Sequence, residues 1–380
     1  MQKKIAFLIP SMLGGGAEKI MATLVNELGE NEGLEVPLIT LEKGQDYSIS
    51  DRVKRFILTE IKGNDSKLIK TLAFPYYFLK FLYITRKIKP DIVVAFLDRT
   101  ILLNIILSKI MGYKAISALH IHPSQQFKNI NRFSSAIFSP AFKLMLNKSY
   151  RVVAISESIK QDIIDNYGVQ PDKIRLIYNP YDIKRIKELS AQEIPEKYRY
   201  FWQDSRVILN IGRYTNQKNQ LELIEMFYDL GKKYPEIKLC ILGKGKLENE
   251  IKELVSRLGL QNRVLLPEFQ ENPFAFMKNS FLFAFPSLWE GFPNSIVESL
   301  IVGLPVVSYN CESGPAEILL NNKYGLLVNM HDREGFKTAV ELLLNDAEVY
   351  ADYSQKSEAR GSMFTTERFI QSFKELIDEA

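Results

Sequence analysis

Short apolar runs alternate with helical patterns along most of this chain, and turns rich in glycine or proline separate them. The first run, residues 5–10, leads through Gly14-Gly15-Gly16 into a helical pattern. A second series opens at residues 207–211, where Gly212 precedes the next helical pattern. Strands that alternate with helices in this way build parallel sheets covered by helices on both faces. The sequence therefore predicts an α/β fold of two Rossmann-like, doubly wound domains that face each other across a cleft.

Length and composition fit that arrangement. At 380 residues the chain is long for one ordinary domain and comfortable for two. Its only cysteines are Cys240 and Cys311, so we expect no disulfide framework and a reducing compartment. The short apolar run near the N-terminus leads straight into glycines, which indicates a first strand and argues against a signal peptide. No uncharged apolar window of about twenty residues occurs, so the sequence predicts a cytoplasmic protein without a transmembrane helix.

Positive charge is concentrated in the first half of the chain. Residues 1–185 carry 27 Lys+Arg and 17 Asp+Glu, a balance of +10, and the remainder carries 22 against 28, a balance of −6. A basic half of this kind indicates a nucleic acid, an anionic lipid or a phosphorylated substrate as its partner.

Two stretches inside the basic half combine cations with aromatic side chains, at residues 66–89 and 127–150. Aromatic residues among lysines and arginines are typical of segments that lie on an anionic membrane surface. The alternative is an ordinary core-facing helix, kinked at Pro75 in the first stretch. We favour membrane contact because both stretches fall within residues 62–151, which hold 15 basic and only 3 acidic residues.

The segment from Pro286 to Pro305 has the most specific composition in the chain. It places Glu290 on a loop after an apolar strand, and a helical pattern then opens with Asn294 as a candidate N-cap and contains Glu298. Such a loop lies at the carboxyl end of a parallel sheet, where ligands bind. The plainer alternative is that both glutamates are solvated surface acids.

This segment resembles the signature of a known enzyme family. The pattern S-x-x-E-G-F-P-N-x-x-x-E-S, which contains Glu290 and Glu298, is similar to that of family-4 retaining glycosyltransferases of the GT-B fold. The resemblance implies transfer of a sugar from a nucleotide donor with retention at the anomeric carbon. It implies that Glu290 binds hydroxyls of the donor sugar and that Glu298 accepts hydrogen bonds from the ribose. It assigns the surroundings of the sugar and phosphate to Gly291, Phe292, Pro293, Asn294 and Ser295.

Two cations follow the first strand of the second series. Arg213 and Lys218 stand over a strand end, where a guanidinium fork and an ammonium can bind a diphosphate. Without the motif, two solvated loop cations would be the simpler interpretation. The resemblance implies that both neutralise the charge on the departing UDP, so that the reaction needs neither a metal ion nor a cofactor. It also assigns to the donor the glycine of a Gly-x-Gly-x-Leu turn and two residues near the nucleotide base: Gly243, Pro267 and Phe269.

The first series is expected to supply the acceptor side of the site. In the family, a Gly-Gly-Ala-Glu motif faces the donor phosphates, which implies that role for Gly15 and Gly16. His120 directly follows an apolar strand, and the resemblance places it at the reaction centre; a satisfied core histidine is the alternative. The residues expected to contact the acceptor are Gly14, Arg99, His120 and His122. The residues expected to be catalytic are His120, Arg213, Lys218 and Glu290.

The boundaries between domains follow from the same family resemblance and from local composition. Residues 179–182, Asn-Pro-Tyr-Asp, stand where the family usually shows Asn-Gly-Val-Asp at the crossing between domains, with Pro180 in place of the glycine. The charged, irregular composition of residues 184–204 predicts a linker. We therefore expect an acceptor-binding domain at 1–183, a nucleotide-sugar-binding domain at 184–362, and a final helix within 363–380 that packs back on the first domain.

The resemblance implies a glycosyltransferase that moves a hexose or N-acetylhexosamine from a UDP-sugar. The basic, aromatic first half suits a lipid-linked or oligosaccharide acceptor, most simply a polyprenyl-diphosphate-linked saccharide. The product would be a surface glycan such as lipopolysaccharide or O-antigen, and the enzyme would lie on the inner face of the cell membrane with no nucleic-acid partner. We expect front-face attack assisted by the donor phosphate, with a covalent intermediate on Glu290 as the alternative.

Three other functions remain open at this point. GDP-mannose is the alternative donor. A nucleotide-cofactor oxidoreductase could use the Gly14 loop and Glu42, but it would leave the motifs of the second half without a role. A non-catalytic protein that binds nucleic acid or lipid would explain the basic half and nothing else.

Overall fold

The computed structural model describes residues 2–128, 132–267 and 270–380. The chain divides into two compact units, one formed by Met1–Pro180 with Thr366–Ala380 and the other by Tyr181–Thr365. In each unit the described strands form a parallel sheet on which helices pack. The predicted fold class, α/β with two doubly wound sheets, is therefore confirmed.

The sheet of the first unit places its first strand in the interior. The described strands are β1 (Lys3–Ile9), β2 (Leu34–Glu35), β3 (Leu38–Thr40), β4 (Arg55–Ile57), β5 (Ile92–Phe96), β6 (Lys114–Leu119), β7 (Arg151–Ala154) and β8 (Ile174–Leu176). Their order is β4-β3-β1-β5-β6-β7-β8, with β2 also beside β1. Strand β5 is buried along its whole length, as expected for a parallel strand covered on both faces.

The helices that precede the crossing into the second unit are α1 (Gly16–Gly29), α2 (Lys67–Leu72), α3 (Phe74–Ile88), α4 (Asp98–Met111), α5 (Pro123–Lys128), α6 (Arg132–Lys148) and α7 (Glu157–Asp165). Pro75 lies in the first turn of α3, where its missing N–H costs nothing, so residues 66–89 form two helices rather than one kinked helix. Within the described ranges, no helix is long and apolar enough to cross a membrane.

The second unit repeats the same construction. Its described strands are β9 (Arg206–Ile211), β10 (Ile237–Leu242), β11 (Val264–Leu265), β12 (Leu282–Phe285), β13 (Val306–Tyr309) and β14 (Leu326–Val328). They run in the order β11-β10-β9-β12-β13-β14. The helices are α8 (Ile183–Ser190), α9 (Glu196–Arg199), α10 (Gln220–Lys233), α11 (Glu248–Arg257), α12 (Phe274–Asn279), α13 (Asn294–Ile301), α14 (Pro315–Leu319), α15 (Arg333–Asn345) and α16 (Ala347–Gly361).

The prediction of a linker at residues 184–204 was wrong, because this stretch is part of the second unit and contains α8 and α9. The Asp182 side chain caps α8 by accepting a hydrogen bond from the Arg185 N–H at 2.8 Å. One face of α8 packs on α12 and buries Ile186, while its charged face is exposed. A short helix that exposes most of its surface has the charged composition of a linker, which explains the error.

The last helix, α17 (Thr366–Asp378), belongs to the first unit although the residues just before it belong to the second. Its apolar face joins the core around β1 and β5 through Phe369, Ile370, Phe373, Leu376 and Ile377. Lys3 Nζ also donates a hydrogen bond to the Ile377 carbonyl at 2.6 Å. The chain thus crosses between units at 180/181 and at 365/366.

Candidate functional site

Two loops of the second unit leave the sheet where its strand order reverses. Strand β9 lies between β10, which follows it in the chain, and β12. The loops at residues 212–219 and 286–293 therefore leave neighbouring strands at the same edge. In open α/β sheets this reversal leaves a crevice in which ligands bind. Arg213, Lys218 and Glu290 all lie on these two loops.

Lys218 and Glu290 form an ion pair that joins the two loops. Lys218 Nζ lies 2.6 Å from Glu290 Oε1, and the two side chains are only 15% and 9% exposed. The ammonium also lies 5.0 Å from the centre of the Phe285 ring, within the range of a cation–π contact. Because both charges are shielded from water, they attract each other more strongly than a surface pair. The residue predicted to bind phosphate and the residue predicted to bind sugar thus neutralise each other.

The Glu290 loop is also tied to the Lys218 loop through Gln217. The Gln217 carbonyl accepts a hydrogen bond from the Leu288 N–H at 2.8 Å, and its side-chain Nε2 donates to the Trp289 carbonyl at 2.7 Å. These bonds hold the backbone just before Glu290. Sequence analysis did not identify Gln217, because a neutral amide beside Lys218 carries no signal of a long-range backbone contact.

The loop after β13 holds the other side of the same corner. Ser313 Oγ donates to the Gly291 carbonyl at 2.6 Å. Gly314 has a φ of 99°, and a β-carbon at this position would overlap the Pro293 ring. The corner at residues 288–294 is therefore fixed from both neighbouring loops. The Ser-Gly-Pro sequence at 313–315 was the available signal for this contact.

Asn294 does not have the predicted N-cap role. It is the first residue of α13, Pro293 occupies the cap position, and no side chain caps the helix. Asn294 Oδ1 instead accepts a hydrogen bond from the Tyr181 hydroxyl at 2.6 Å. Ser295 and Glu298 lie partly buried in the same helix, and Phe292 just before it is buried.

Arg213 is an available cation on this edge. It is exposed, and within the described ranges its guanidinium has no hydrogen bond or ion pair. The turn that contains Gly243 touches the Arg213 loop backbone to backbone, because a β-carbon on Gly243 would overlap the Gly212 carbonyl. The Tyr214 N–H donates to the Lys244 carbonyl at 3.1 Å across the same contact.

The remaining predicted donor residues lie at the edge of what the structure describes. Pro267 is buried just after β11, and Phe269 lies outside the described residues.

Cys311 follows β13, and burial raises the pKa of its thiol to about 12, with the Glu290 carboxylate adding to the effect. The thiol is therefore protonated at neutral pH and is a poor nucleophile. In the part of the chain that the structure describes, no group of three or more His, Cys, Asp or Glu could hold a metal ion.

In the first unit, the glycine loop after β1 is held by acidic and phenolic side chains. The Gly14 N–H donates to Asp46 Oδ2 at 2.6 Å, and the Tyr47 hydroxyl donates to the Gly15 carbonyl at 3.0 Å. Burial raises the pKa of Glu18 in the first turn of α1. The amide of Gly14, predicted to contact the acceptor, is thus already engaged by Asp46.

His120 directly follows β6, as predicted, and its imidazole is kept neutral. Both ring nitrogens are buried without a hydrogen-bond partner among the described residues, and the ring lies 4.4 Å from that of Phe96. Burial lowers the pKa of His120 to about 3, because the charged ring cannot be solvated. A neutral imidazole with two unused nitrogens can exchange a hydrogen bond with a hydroxyl that enters this edge.

His122 has a different environment. It is 4% exposed, and its Nδ1 lies 3.3 Å from Asp162 Oδ2. Asp162 also accepts hydrogen bonds from the Ser124 N–H at 3.0 Å and from Asn166 Nδ2 at 2.7 Å. This buried cluster joins the chain after β6 to α7, so the contacts of His122 are those of a structural residue.

Arg99 is held at the end of β5 by a buried carboxylate. Arg99 Nη1 donates to Glu42 Oε1 at 2.6 Å, and Lys70 Nζ lies 3.1 Å from the other oxygen of Glu42. The Tyr77 hydroxyl donates to the same carboxylate at 3.3 Å. Glu42 is 1% exposed and engaged by three partners, so it is not available for the ribose of a nucleotide cofactor.

Comparison with known proteins identifies the family of the chain. Residues 14–185 match the protein family described as "Glycosyltransferase Family 4", and residues 194–360 match the family described as "Glycosyl transferases group 1". An uncharacterised glycosyltransferase of Methanocaldococcus jannaschii is 34% identical over 81% of this chain and 85% of its own. The N-acetylgalactosamine-N,N'-diacetylbacillosaminyl-diphospho-undecaprenol 4-alpha-N-acetylgalactosaminyltransferase of Campylobacter jejuni is 28% identical over 95% of this chain and 96% of its own.

The fold also matches that of known glycosyltransferases. HepE of Anabaena, solved with UDP, superposes with a TM-score of 0.79 and 20% identity, covering 99% of this chain and 100% of its own. Two parallel-sheet α/β units of this kind form the GT-B fold. The chain belongs to glycosyltransferase family 4, and the resemblance drawn from the Glu290–Glu298 motif is confirmed.

Proposed function

We propose that this glycosyltransferase moves a hexose or N-acetylhexosamine from a UDP-sugar to a polyprenyl-diphosphate-linked saccharide, with retention and without a metal ion or cofactor. The observation that carries the proposal is the shielded Lys218–Glu290 pair at the strand-order reversal. Arg213, on the same loop as Lys218, is exposed, and its guanidinium has no hydrogen bond or ion pair with any described residue. The UDP bound to HepE and the acceptor named for the Campylobacter relative support the two substrate classes.

The charges of this edge suit a nucleoside diphosphate. Arg213 offers a planar fork of donors to two phosphate oxygens. As a diphosphate approaches, Lys218 exchanges Glu290 for phosphate, and the Glu290 carboxylate then accepts hydrogen bonds from sugar hydroxyls. Each charge gains a new partner in this exchange, so none is left buried and unpaired.

In the proposed transfer, the bond between the anomeric carbon and the phosphate oxygen breaks, and UDP leaves with the electron pair. The acceptor hydroxyl forms the new bond on the same face and gives its proton to the departing phosphate oxygen. Arg213 and Lys218 stabilise the negative charge that develops there, as preorganised cations do. They supply the positive charge that a divalent ion provides in other transferases.

A covalent intermediate on Glu290 is the less favourable path. A nucleophilic carboxylate must be free to attack the anomeric carbon, whereas in the proposed donor complex the Glu290 carboxylate accepts hydrogen bonds from the sugar hydroxyls. We therefore propose front-face attack assisted by the donor phosphate.

The first unit supplies the acceptor side in this proposal. His120, neutral and with both nitrogens unused among the described residues, exchanges a hydrogen bond with the acceptor hydroxyl. Arg99, oriented by Glu42 and 37% exposed at its side chain, offers a cation to the acceptor diphosphate.

Helices α2 and α3 are proposed to lie on an anionic membrane. Six large apolar side chains are exposed there: Leu68, Ile69, Leu72, Tyr76, Leu79 and Tyr83. The opposite face of α3 is buried, so the exposed stripe is distinct from the core-facing one. Lys80, Arg86 and Lys87 are exposed along the same helix. Apolar and cationic residues together suit the membrane surface.

The test is calorimetric binding of UDP and GDP in EDTA to wild-type protein, to Glu298→Ala and to Glu253→Ala, an exposed glutamate on α11. We expect UDP to bind the wild type and the control alike, and Glu298→Ala to bind it more weakly. Preference for GDP would favour the mannosyl alternative. Absence of any nucleotide binding would contradict the proposed donor site.

A further inference from the structure

The residue that follows the first crossing between units is paired with the residues that precede the second crossing. The Tyr181 N–H donates to the Phe364 carbonyl at 3.1 Å, and Tyr181 forms a parallel β-bridge with Thr365. The rings of Tyr181 and Phe364 meet edge to face at 6.3 Å. The first crossing is followed at once by Tyr181, and Thr365 directly precedes the second.

Both members of this pair also reach the corner that precedes α13. The Tyr181 hydroxyl donates to Asn294 Oδ1 at 2.6 Å, and Tyr181 itself is only 5% exposed. The Phe364 ring meets the Phe292 ring edge to face at 6.0 Å. Two residues of the corner, on either side of Pro293, are therefore held from the paired segment.

The Tyr181 hydroxyl fixes the orientation of a carboxamide. A phenol has one proton to donate, and here it is given to Oδ1, which leaves Asn294 Nδ2 on the other side of the group. Asn294 begins the helix that contains Glu298.

We propose that Tyr181 is a positioning residue for the donor, acting through Asn294. This inference rests on the proposed function and on the expectation from the sequence that residues 291–295 surround the donor phosphate and sugar. Tyr181 does not touch the donor in this arrangement. It sets the direction of the Asn294 carboxamide and thereby the shape of the corner before UDP enters.

The test is a double-mutant cycle on the full chain with UDP as the probe. Tyr181→Phe removes one oxygen atom and keeps the ring on Phe364, so the fold is retained. We expect UDP affinity to fall roughly fivefold to tenfold, as for one hydrogen bond to a polar group. In an Asn294→Ala background the same substitution should have no further effect, because its target is gone.

Tyr198→Phe is the matched control, since this buried tyrosine of the same unit makes no hydrogen bond through its hydroxyl to any described residue. It should bind UDP like the wild type. If Tyr181→Phe binds UDP as tightly as the wild type, or weakens binding equally with and without Asn294, the inference is wrong. If the wild type binds no UDP, the proposed function fails instead, so the two failures are distinguishable.

Discussion

Lys218 Nζ lies 2.6 Å from Glu290 Oε1, although 71 residues separate them in the chain. The pair joins the two loops that leave neighbouring strands where the sheet of the second unit reverses its order. A shielded pair of this kind costs desolvation energy and gains attraction, so its net effect on stability is small while the loss of one partner is costly. Its position at a ligand edge is the one that the proposed exchange of partners during donor binding requires.

Replacing Lys218 should slow the transfer reaction. We expect Lys218→Ala to reduce kcat by roughly a hundredfold, as for the loss of one preorganised charge donor. Steady-state rates with a UDP-sugar in EDTA measure this effect. Lys252→Ala, which removes a lysine paired with Glu248 on the surface of α11, is the control and should keep wild-type rates. Near-normal turnover in Lys218→Ala would contradict the assignment.

The ion pair itself can be measured as a coupling energy. Lys218→Met and Glu290→Gln should each lower the free energy of unfolding by about 2 kcal/mol, because each leaves a largely buried charge or amide without its partner. The double variant should lose much less than the sum of the two. Urea unfolding of the four proteins measures this difference. Additive losses would mean that the two side chains do not interact in solution.

The buried imidazole of His120 predicts a dependence of stability on pH. Its pKa is about 3 in the folded chain and about 6.5 in the unfolded chain, so only the unfolded state gains a proton between these values. Stability from His120 is therefore complete above pH 6.5 and falls by about 1.4 kcal/mol per pH unit as the pH is lowered towards 3.

The comparison that tests this is wild type against His120→Gln, unfolded in urea at several pH values from 7.5 to 4.5. The wild type should lose stability more steeply than the variant below pH 6.5. His331→Asn, which removes an exposed histidine and leaves His120 in place, should retain the wild-type slope. Equal slopes in wild type and His120→Gln would show that the imidazole is solvated.

The sequence predicted the strand ends of this site better than its contacts. Alternating apolar runs and turns located Lys218 and Glu290 on ligand-edge loops, because periodicity and turn residues are local signals. It did not predict that they pair, or that Gln217 and Ser313 hold the corner. Those contacts join residues far apart in the chain, and neither spacing nor composition records which loops meet.

Two interpretations failed because a charged residue has the same signal in several environments. Residues 184–204 were predicted to be a linker, yet they contain two helices whose exposed faces carry the charges. Lys70 was counted among the surface cations of residues 66–89, yet its side chain is 12% exposed and paired with Glu42. Only the position of the counter-charge distinguishes a buried lysine from a membrane-facing one.

The burial of Lys70 determines which residues can be replaced to test the membrane proposal. Lys70 is excluded, because its loss would leave the buried Glu42 short of a partner and disturb the fold. The exposed cations of α3 remain, and each basic residue near an anionic surface contributes about 1 kcal/mol. Replacing Lys80, Arg86 and Lys87 by glutamine should therefore weaken binding to phosphatidylserine vesicles by roughly a hundredfold.

Vesicle sedimentation at physiological salt measures the effect, and the matched control removes three exposed lysines from the second unit: Lys232, Lys252 and Lys323. The control has the same change in net charge and should sediment with vesicles like the wild type. Leu72→Ser with Leu79→Ser should weaken binding without changing charge, since both leucines are more than 60% exposed, at 72% and 62%. If the control loses as much binding as the α3 variant, attraction is due to overall charge, and α2 and α3 are not the contact surface.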